Sequence, residues 1–533
     1  QYYLCYSLSM DALTLEQLPD DVASLKNIIA ALMKEASQYK SEAATASLEA
    51  LSWQEKYESL KHRFFGSSSE KKPKEENSQG WLFNEAETYA KEAPKTEEKV
   101  SVKAHERVKR GPKPIPNDIP RVDIVSECSL EERTCPHCGA LRPEIGEEVR
   151  EELEVIPAKV IVNRYIMKKY GPCECKDCQS PVIQASGPVK FIPGSRFSNN
   201  TLAFFLSSKF VDAQPFYRME HILSRFGIET PRATLCALAI RAGRGLGDLI
   251  EAMKEDIKAS HVLLMDETVV QVLHETNSTP QSKHFMWVTE GFSEGKPIIF
   301  FHYHPSRSKE IPLRLLKDYE GYLQTDGYSG YDEAGSFPGI RHVGCLAHVR
   351  RKFIEAQKLG SKEASIFISM IAELYEKEAE LRKSYNEGLL DTASFLSLRR
   401  KEQAPKLTAM HSWLMAHAGV SPPTLAFGKA VSYALSQWEK ITHYLDHELL
   451  TPDTNRVENA IRPFVIGRKN WLFSNTPLGA HASASIYSMI ETAKANGHEP
   501  YHYLCYLFNE LPKAKSLEEK LRLLPYRIAP REY

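Results

Sequence analysis

Three carboxylates in the second half of the chain lie where a catalytic site would need them. Asp266 and Glu267 interrupt the apolar stretch HVLLMDETVV, and a buried charge is costly unless it is paired or binds a metal. Asp326 follows another apolar strand in LQTDGYSGY, and Glu458 lies in TNRVENAIRPF. Aspartates on neighbouring strands can point to one place, and their hard oxygens suit Mg²⁺ or Mn²⁺. With Glu458 from a later helix, they predict a two-metal site for attack on a phosphodiester.

Each of these acids also has a structural interpretation. Asp326 precedes Gly327 and could simply form a turn. Asp266 could pair with an arginine, and Glu458 follows Asn455 by three residues, as in a capping box at a helix start. Their combination on a block of five predicted strands favours the catalytic interpretation.

Basic and aromatic residues near these acids suit a nucleic-acid partner, because cations hold phosphates and an aromatic ring can stack on a base. The candidates are Arg350, Arg351, Lys352, Arg462, Arg468, Lys469 and Trp471. Cys345 and His348 form a Cys-x-x-His pair that could bind a soft metal or simply belong to the core.

Two Cys-x-x-Cys pairs predict a structural zinc site of the zinc-ribbon type. The four ligands are Cys135, Cys138, Cys175 and Cys178. They flank a stretch that alternates like β-strands, and four thiolates close a tetrahedral site with no open position. Cys128 and Cys173 are spare thiols, and Cys173 could replace Cys175. Buried or redox-active cysteines are the alternative.

The N-terminal region predicts an association element and a flexible arm. Apolar residues in a heptad run from Leu18 to Phe64, which is typical of a coiled coil and hence of self-association. A long helix packed within its own subunit is the alternative. Residues 67–120 have the composition of a flexible linker. This linker carries an extended basic arm that suits phosphates, or is simply solvated: Lys109, Arg110 and Lys113.

The sequence also predicts the helices and strands that must position these acids. Residues 196–258 have helical patterns, with a turn at Gly227 and a helix start at Pro231, as in a DNA-binding helix-turn-helix or an ordinary helical hairpin. Short apolar strands then succeed one another from about residue 261. Residues 354–446 return to helical spacing.

Length and composition set the class of protein. A chain of 533 residues is too long for one core, so three or more domains are expected. A net charge of −1 means that any nucleic-acid surface is local. No apolar run approaches a membrane span, and the first residues lack a secretory pattern, with Met10 a possible native start. Ten cysteines, four of them in metal-type pairs, favour a reducing cytoplasm.

Together the motifs resemble those of the insertion-sequence 66 family of transposases. The resemblance covers about residues 60–510 and rests on RFFGSSSEK, the Cys-x-x-Cys pairs, MDETVVQVL, PSRS, LQTDGYSGYD, GCLAHVRRKF, NRVENAIRPFVIGRKNWLFSN and IYSMIETAKANGHEPYHYL. It implies a DDE transposase whose catalytic triad is Asp266, Asp326 and Glu458. Asn459 stands where the family usually has arginine.

The resemblance also implies an RNase H-like α/β catalytic core. The expected fold class is therefore multidomain α+β. We expect a coiled coil at 10–66, the linker and basic arm at 67–120, a zinc ribbon at 121–195, a helical DNA-binding region at 196–258, the catalytic core at 259–510 with a helical insertion at 354–446, and a tail at 511–533.

The expected function is DNA transposition: binding of the element ends, strand hydrolysis, and joining of the 3′-hydroxyl to target DNA with Mg²⁺ or Mn²⁺. Structural Zn²⁺ is expected in the ribbon. Expected partners are DNA, a second copy through the coiled coil, and small accessory proteins of the same element. The alternatives are a non-catalytic DNA-binding regulator and a metal-dependent nuclease. A bacterial cytoplasmic location, on the nucleoid when DNA is bound, would follow.

Overall fold

The computed structural model describes residues 21–65, 140, 159–170, 183–276, 278–279 and 281–530. The chain divides into two compact units, residues 1–79 with 167–533, and residues 80–166. In the second unit, residues 159–166 are exposed and form neither helix nor strand. Several predicted features lie outside the described residues: the linker 67–120 with Lys109, Arg110 and Lys113, and the zinc ligands Cys135, Cys138, Cys175 and Cys178.

Helices dominate the first unit. They are α1 (Val22–Phe65), α2 (Asn199–Phe210), α3 (Phe216–Arg225), α4 (Arg232–Gly245), α5 (Gly247–Lys258), α6 (Glu310–Leu315), α7 (Asp332–Gly335), α8 (Leu346–Lys358), α9 (Lys362–Asn386), α10 (Thr392–His417), α11 (Ala426–Thr442), α12 (Asn455–Trp471), α13 (Pro477–Ala495), α14 (Pro500–Glu510) and α15 (Leu517–Leu521). Short 3₁₀ turns occur at Ser329–Tyr331, His443–Asp446 and Leu511–Lys513. No helix in the described ranges combines the length and apolar character that a membrane span requires.

The strands form two sheets. They are β1 (Lys169–Tyr170), β2 (Ile183–Gln184), β3 (Val262–Val270), β4 (His284–Ser293), β5 (Lys296–His304), β6 (Gly321–Gln324) and β7 (Ile340–Val343). β1 and β2 pair alone as a short antiparallel ladder. The larger sheet has the order β5-β4-β3-β6-β7. Its first three strands are antiparallel, whereas β3, β6 and β7 run parallel, so the sheet is mixed. All five predicted strands are confirmed.

The long N-terminal helix leaves its apolar seam open to solvent. Ile29, Leu32 and Trp53 remain 50–67% exposed. The helix also contacts the helical insertion, because the Glu55 carboxylate accepts the backbone N–H of Ala426 at 3.1 Å. The predicted helix is confirmed, and its pairing as a coiled coil stays a prediction.

The helical hairpin predicted before the sheet is present as α3 and α4. The turn between them uses Gly227 at a φ of 73°, a left-handed conformation that glycine adopts without steric cost. α4 starts directly after Pro231, whose fixed φ suits a helix start. The structure confirms the two helices, and a DNA-binding role for them stays a prediction.

β5 is an edge strand of the sheet, and its outer edge is covered by α13. Two hydroxyls of that helix accept backbone N–H groups of the strand, Ser488 from Phe301 at 2.8 Å and Thr492 from Ile299 at 2.9 Å. A sheet edge otherwise presents unpaired N–H groups to other chains. The C-terminal helices are therefore an integral part of the core around the sheet.

A buried arginine organises the helical insertion. Arg399 on α10 is fully buried, and two of its nitrogens donate to the Glu378 carboxylate of α9 at 2.7 and 2.9 Å. Its other donors reach the carbonyls of Tyr444, His447 and Leu450. All five guanidinium N–H groups thus have partners. The insertion thereby holds the segment that leads into α12.

We expect Arg399→Met to lower the free energy of unfolding by about 2–4 kcal/mol. It removes one of the two arginines that pair with the buried Glu378, so that Arg382 alone remains, and it removes the donor that the Tyr444 and His447 carbonyls share. Urea denaturation followed by circular dichroism measures the change. The matched control is Arg400→Met, because Arg400 is exposed and lies 3.4 Å from Asp446. It should cost less than about 1 kcal/mol. Equal effects of the two substitutions would contradict the assigned role of Arg399.

Candidate active site

The parallel pairing of β3 with β6 sets the two aspartates side by side. The register joins Val262 to Tyr322 and Leu264 to Gln324. Continued two residues further, the same register brings Asp266 level with Asp326. Asp266 lies in the middle of β3, just beyond its parallel pairing with β6, and Asp326 follows the last residue of β6 by two. The two strands meet at the point where the chain order of the sheet reverses. In open sheets this is the usual place for a ligand site.

Glu458 reaches this place from the first turn of α12. The helix packs against β3, where Arg468 donates to the Thr268 hydroxyl at 3.2 Å. Thr268 is two residues from Asp266 and therefore on the same face of the sheet. The entry to the helix is also fixed, because the buried Gln324 amide donates to the Thr451 carbonyl at 2.6 Å. The helix and the strand end are thus held together.

Asp266 is repelled by the other acids of this place. Burial, followed by the negative charges of Glu267, Asp326 and Glu458, raises the pKa of Asp266 well above its ordinary value. Burial also raises the pKa of Asp326, against the N–H of Tyr328 and the charges of Arg307 and Arg351. A cluster of acids that costs free energy in this way gains from a cation placed among them. The donor set therefore fits a hard divalent cation held by carboxylate oxygens.

A fourth carboxylate, that of Glu267, is buried beside the three acids, and no role was predicted for it from the sequence. Glu267 pairs with Arg307 at 2.5 Å and accepts the Tyr331 hydroxyl at 2.5 Å. Asp266 takes no part in these two contacts, because the side chains of adjacent strand residues point to opposite faces of the sheet. The sign of this ion pair in the sequence was the presence of two adjacent acids. Glu267 is the one that pairs with an arginine of the same chain.

The structure resolves two of the structural alternatives. The turn after Asp326 is present, since its carboxylate accepts the Tyr328 N–H at 3.0 Å, and it coexists with the acid cluster. The capping-box interpretation of Glu458 is wrong. Thr454 is the N-cap and Asn455 already belongs to the helix, so Glu458 follows the cap by four residues instead of three.

The predicted DNA-binding residues occupy different environments. Arg351 lies close enough to lower the pKa of Asp326, whereas Lys352 and Lys469 are exposed. Arg350 and Arg462 are half-buried. Trp471 packs inward, with its ring edge against Phe464 and the Lys209 ammonium over its face. The exposed aromatic ring at this end of α12 is Phe473.

Comparison with known families decides the identity of the chain. Residues 194–482, which include all three acids, match the transposase IS66 family. The chain belongs to this family. Further matches are to the IS66 C-terminal element at 488–526, the zinc-finger binding domain of transposase IS66 at 132–179, and the Transposase C of IS166 homeodomain at 53–124. The zinc-finger range contains the four predicted cysteine ligands. These matches indicate DNA as a partner and divalent metal as a requirement of this transposase-family protein.

Similar curated proteins come from Sinorhizobium fredii (strain NBRC 101917 / NGR234). Uncharacterized protein y4qI is 27% identical over 97% of this chain and 99% of its own length. Uncharacterized protein y4jD is 29% identical over 77% of this chain and 81% of its own length. The similarity to y4qI therefore spans almost the whole of both chains.

We expect Asp266→Asn to stabilise the protein in the absence of divalent cations, by about 1–3 kcal/mol, because it removes a charge from a crowded, partly buried place. The raised pKa means that ionisation of Asp266 opposes folding. This cost is absent below the ordinary value of 3.8 and grows as the pH rises towards the raised value.

Thermal unfolding as a function of pH measures this effect. The advantage of Asp266→Asn should be small at about pH 4 and clearly larger at about pH 8. Glu255→Gln, an exposed acid on α5, is the control and should show no comparable advantage. An Asp266→Asn variant that is less stable than the unmodified chain at every pH would refute the proposed repulsion.

Proposed function

We propose that the protein is a DNA transposase that binds the ends of its element, hydrolyses a DNA strand, and joins the exposed 3′-hydroxyl to target DNA. The observation that carries the proposal is the convergence of Asp326 and Glu458 on Asp266, whose pKa their charges raise, at the reversal point of the sheet. Membership of the transposase IS66 family supports the same chemistry. We infer that the mixed sheet with its covering helices is the RNase H-like core.

Asp266 and Asp326 would hold two divalent cations, Mg²⁺ or Mn²⁺, and Glu458 would complete the second position. When bound, such cations activate the attacking oxygen and stabilise the leaving oxygen of a phosphodiester. The protein's own part is to keep three carboxylates at one place despite their repulsion. Water and then the DNA 3′-hydroxyl serve as nucleophiles, so no covalent link to the protein is needed.

Neighbouring side chains hold the acids in position. The Thr454 hydroxyl lies 3.2 Å from the Glu458 carboxylate, and the Asp266 carboxylate accepts the N–H of Glu267 at 2.8 Å. Arg307 pairs with Glu267, the fourth acid at this place, and so holds its side chain within the protein. Catalytic groups need such support, because small displacements of a reacting group reduce the rate strongly.

The DNA-contacting surface is proposed to extend from this site. Arg350, Arg351, Lys352, Arg462, Arg468 and Lys469 would hold phosphates, together with Lys109, Arg110 and Lys113 of the basic arm. Phe473 is better placed than the packed Trp471 to stack on a base, because it is 41% exposed. It follows Leu472, which has a strained φ of 67°. The zinc ribbon and the α3–α4 hairpin would bind the element ends.

Two copies would be needed to bring two DNA ends into one complex. The exposed seam of α1 supports self-association through a coiled coil, because a helix with this much open apolar surface gains from a partner. Accessory proteins of the same element are further proposed partners.

We expect Asp326→Asn to abolish chemistry while leaving DNA binding intact. The assay incubates the purified protein with DNA from both flanks of its gene, a target plasmid, and Mg²⁺ or Mn²⁺. Nicking at the flank boundaries and joining should fall at least about 100-fold, because a proposed metal ligand is lost. The control is Asp332→Asn, a nearby aspartate that pairs with Lys440 and should retain activity.

The same assay separates the alternatives. Cutting without joining would identify a nuclease. Specific binding with no chemistry, unchanged by Asp326→Asn and by addition of the element's accessory proteins, would identify a regulator. Either result would overturn the proposed transposition chemistry.

We expect Ile29→Glu combined with Leu32→Glu to convert the protein to a monomer, because both side chains lie on the heptad seam. Analytical ultracentrifugation measures the mass. Asn27→Glu with Ser37→Glu adds the same charge to exposed positions off the seam and should leave association unchanged. Identical masses for the two double variants would contradict a coiled coil through this seam.

A further inference from the structure

A set of softer ligands lies beside the acid cluster. Cys345, His348 and Glu458 place one ligand atom each within 4.8 Å of one another. His348 Nδ1 is 3.9 Å from Glu458 Oε1. A tetrahedral ion with ordinary zinc bond lengths holds its donor atoms about 3.3–3.6 Å apart. Small side-chain movements would therefore bring these three groups around one ion.

The His348 imidazole has a ring nitrogen that suits metal binding. His348 Nδ1 is buried and has no hydrogen-bond partner, an arrangement that is costly for a polar atom. A neutral imidazole binds a metal through an unprotonated ring nitrogen of this kind.

The sulfur of Cys345 accepts hydrogen bonds of the kind that a coordinated sulfur receives. Without a bound ion it is a thiol, because burial and the charges of Glu458 and Asp453 raise its pKa to about 12. Cys345 is buried at the N-cap of α8, and its Sγ accepts the backbone N–H of Thr454 at 3.3 Å. The Thr454 hydroxyl lies 3.2 Å from Sγ and 3.2 Å from the Glu458 carboxylate. Hydrogen bonds from such outer groups orient metal ligands and stabilise their charge.

We propose that Cys345, His348 and Glu458 bind a borderline-soft divalent cation, with Zn²⁺ the best match, at a site distinct from the zinc finger. This site shares Glu458 with the second hard-cation position of the proposed catalytic centre. Thiolate and imidazole select such a metal over Mg²⁺, which prefers oxygen. Binding forms a metal–sulfur bond and releases the thiol proton to solvent. Three protein ligands leave the fourth position for water.

The ion would join two elements that meet at the site. Cys345 and His348 belong to the start of α8, directly after β7, whereas Glu458 belongs to the first turn of α12. A bond to each side fixes the distance between them and the orientation of the Glu458 carboxylate. The proposal does not depend on a catalytic role of Glu458, because metal content is measured without DNA.

The test is the zinc content per chain of the full-length protein, purified with zinc, dialysed, and measured by mass spectrometry of the metal. We expect Cys345→Ser and His348→Ala each to contain one zinc fewer per chain than the unmodified protein. Cys505→Ser, a partly buried cysteine on α14, should contain the full amount. Cys135→Ser should lose zinc from the finger but keep the ion proposed here.

Cobalt(II) substitution gives a second measurement that a general loss of structure would not reproduce. The difference spectrum between the unmodified chain and Cys345→Ser should show the visible bands of one tetrahedral ion bound through sulfur, nitrogen and oxygen. Circular dichroism and thermal unfolding verify that each variant is folded. Unchanged zinc content in both folded site variants, or a featureless difference spectrum, would overturn the proposal.

Discussion

The burial of Asp266, Asp326 and Glu458 at one place is the constraint on which the rest of the structure depends. Burial opposes the ionisation of both aspartates, and the charges of neighbouring acids add to that cost at Asp266. The chain keeps them together because a continuous sheet register fixes two of them and a helix packed on β3 fixes the third. Cations bound among the acids would remove this free-energy cost. The free energy recovered in this way would favour cation binding.

The helical insertion contributes to this arrangement from a distance. Arg399 holds the carbonyls of Tyr444, His447 and Leu450 with one fully buried guanidinium. Gln324 holds Thr451 one residue further along, and Thr454 then caps α12. This line of contacts leads from the insertion to Glu458 without a gap. The insertion therefore helps to position Glu458, although none of its own residues is proposed to contact DNA or the cations.

Much of the fold could be predicted from the sequence, because its signals are local. The five strands have apolar runs broken by turns, and the α3–α4 hairpin has Gly227 and Pro231 at its turn. Strand order and register could not be read in this way, since pairing joins residues far apart in sequence. The alternative in which Asn455 caps α12 is wrong by one residue, because Thr454 occupies the N-cap position.

The acids of the proposed site can be picked out in the sequence, whereas their supporting groups cannot. The three carboxylates stand out as charges next to apolar runs, and the structure places Asp326 and Glu458 close enough to Asp266 to raise its pKa. The pairing of Glu267 with Arg307, and the inward packing of Trp471, depend on neighbours that no local pattern reveals. Cys345 and His348 were visible as a spaced pair, but their approach to Glu458 depends on the tertiary structure.

Binding of Mn²⁺ tests the central claim most directly, since it asks whether the three acids form a cation site before any DNA is present. Titration of the zinc-loaded chain with Mn²⁺, followed by calorimetry and electron paramagnetic resonance, should show binding that Mg²⁺ displaces. Asp266→Asn, Asp326→Asn and Glu458→Gln should each weaken it, while Asp332→Asn should not. Equal Mn²⁺ binding by the unmodified chain and all three acid variants would contradict the account.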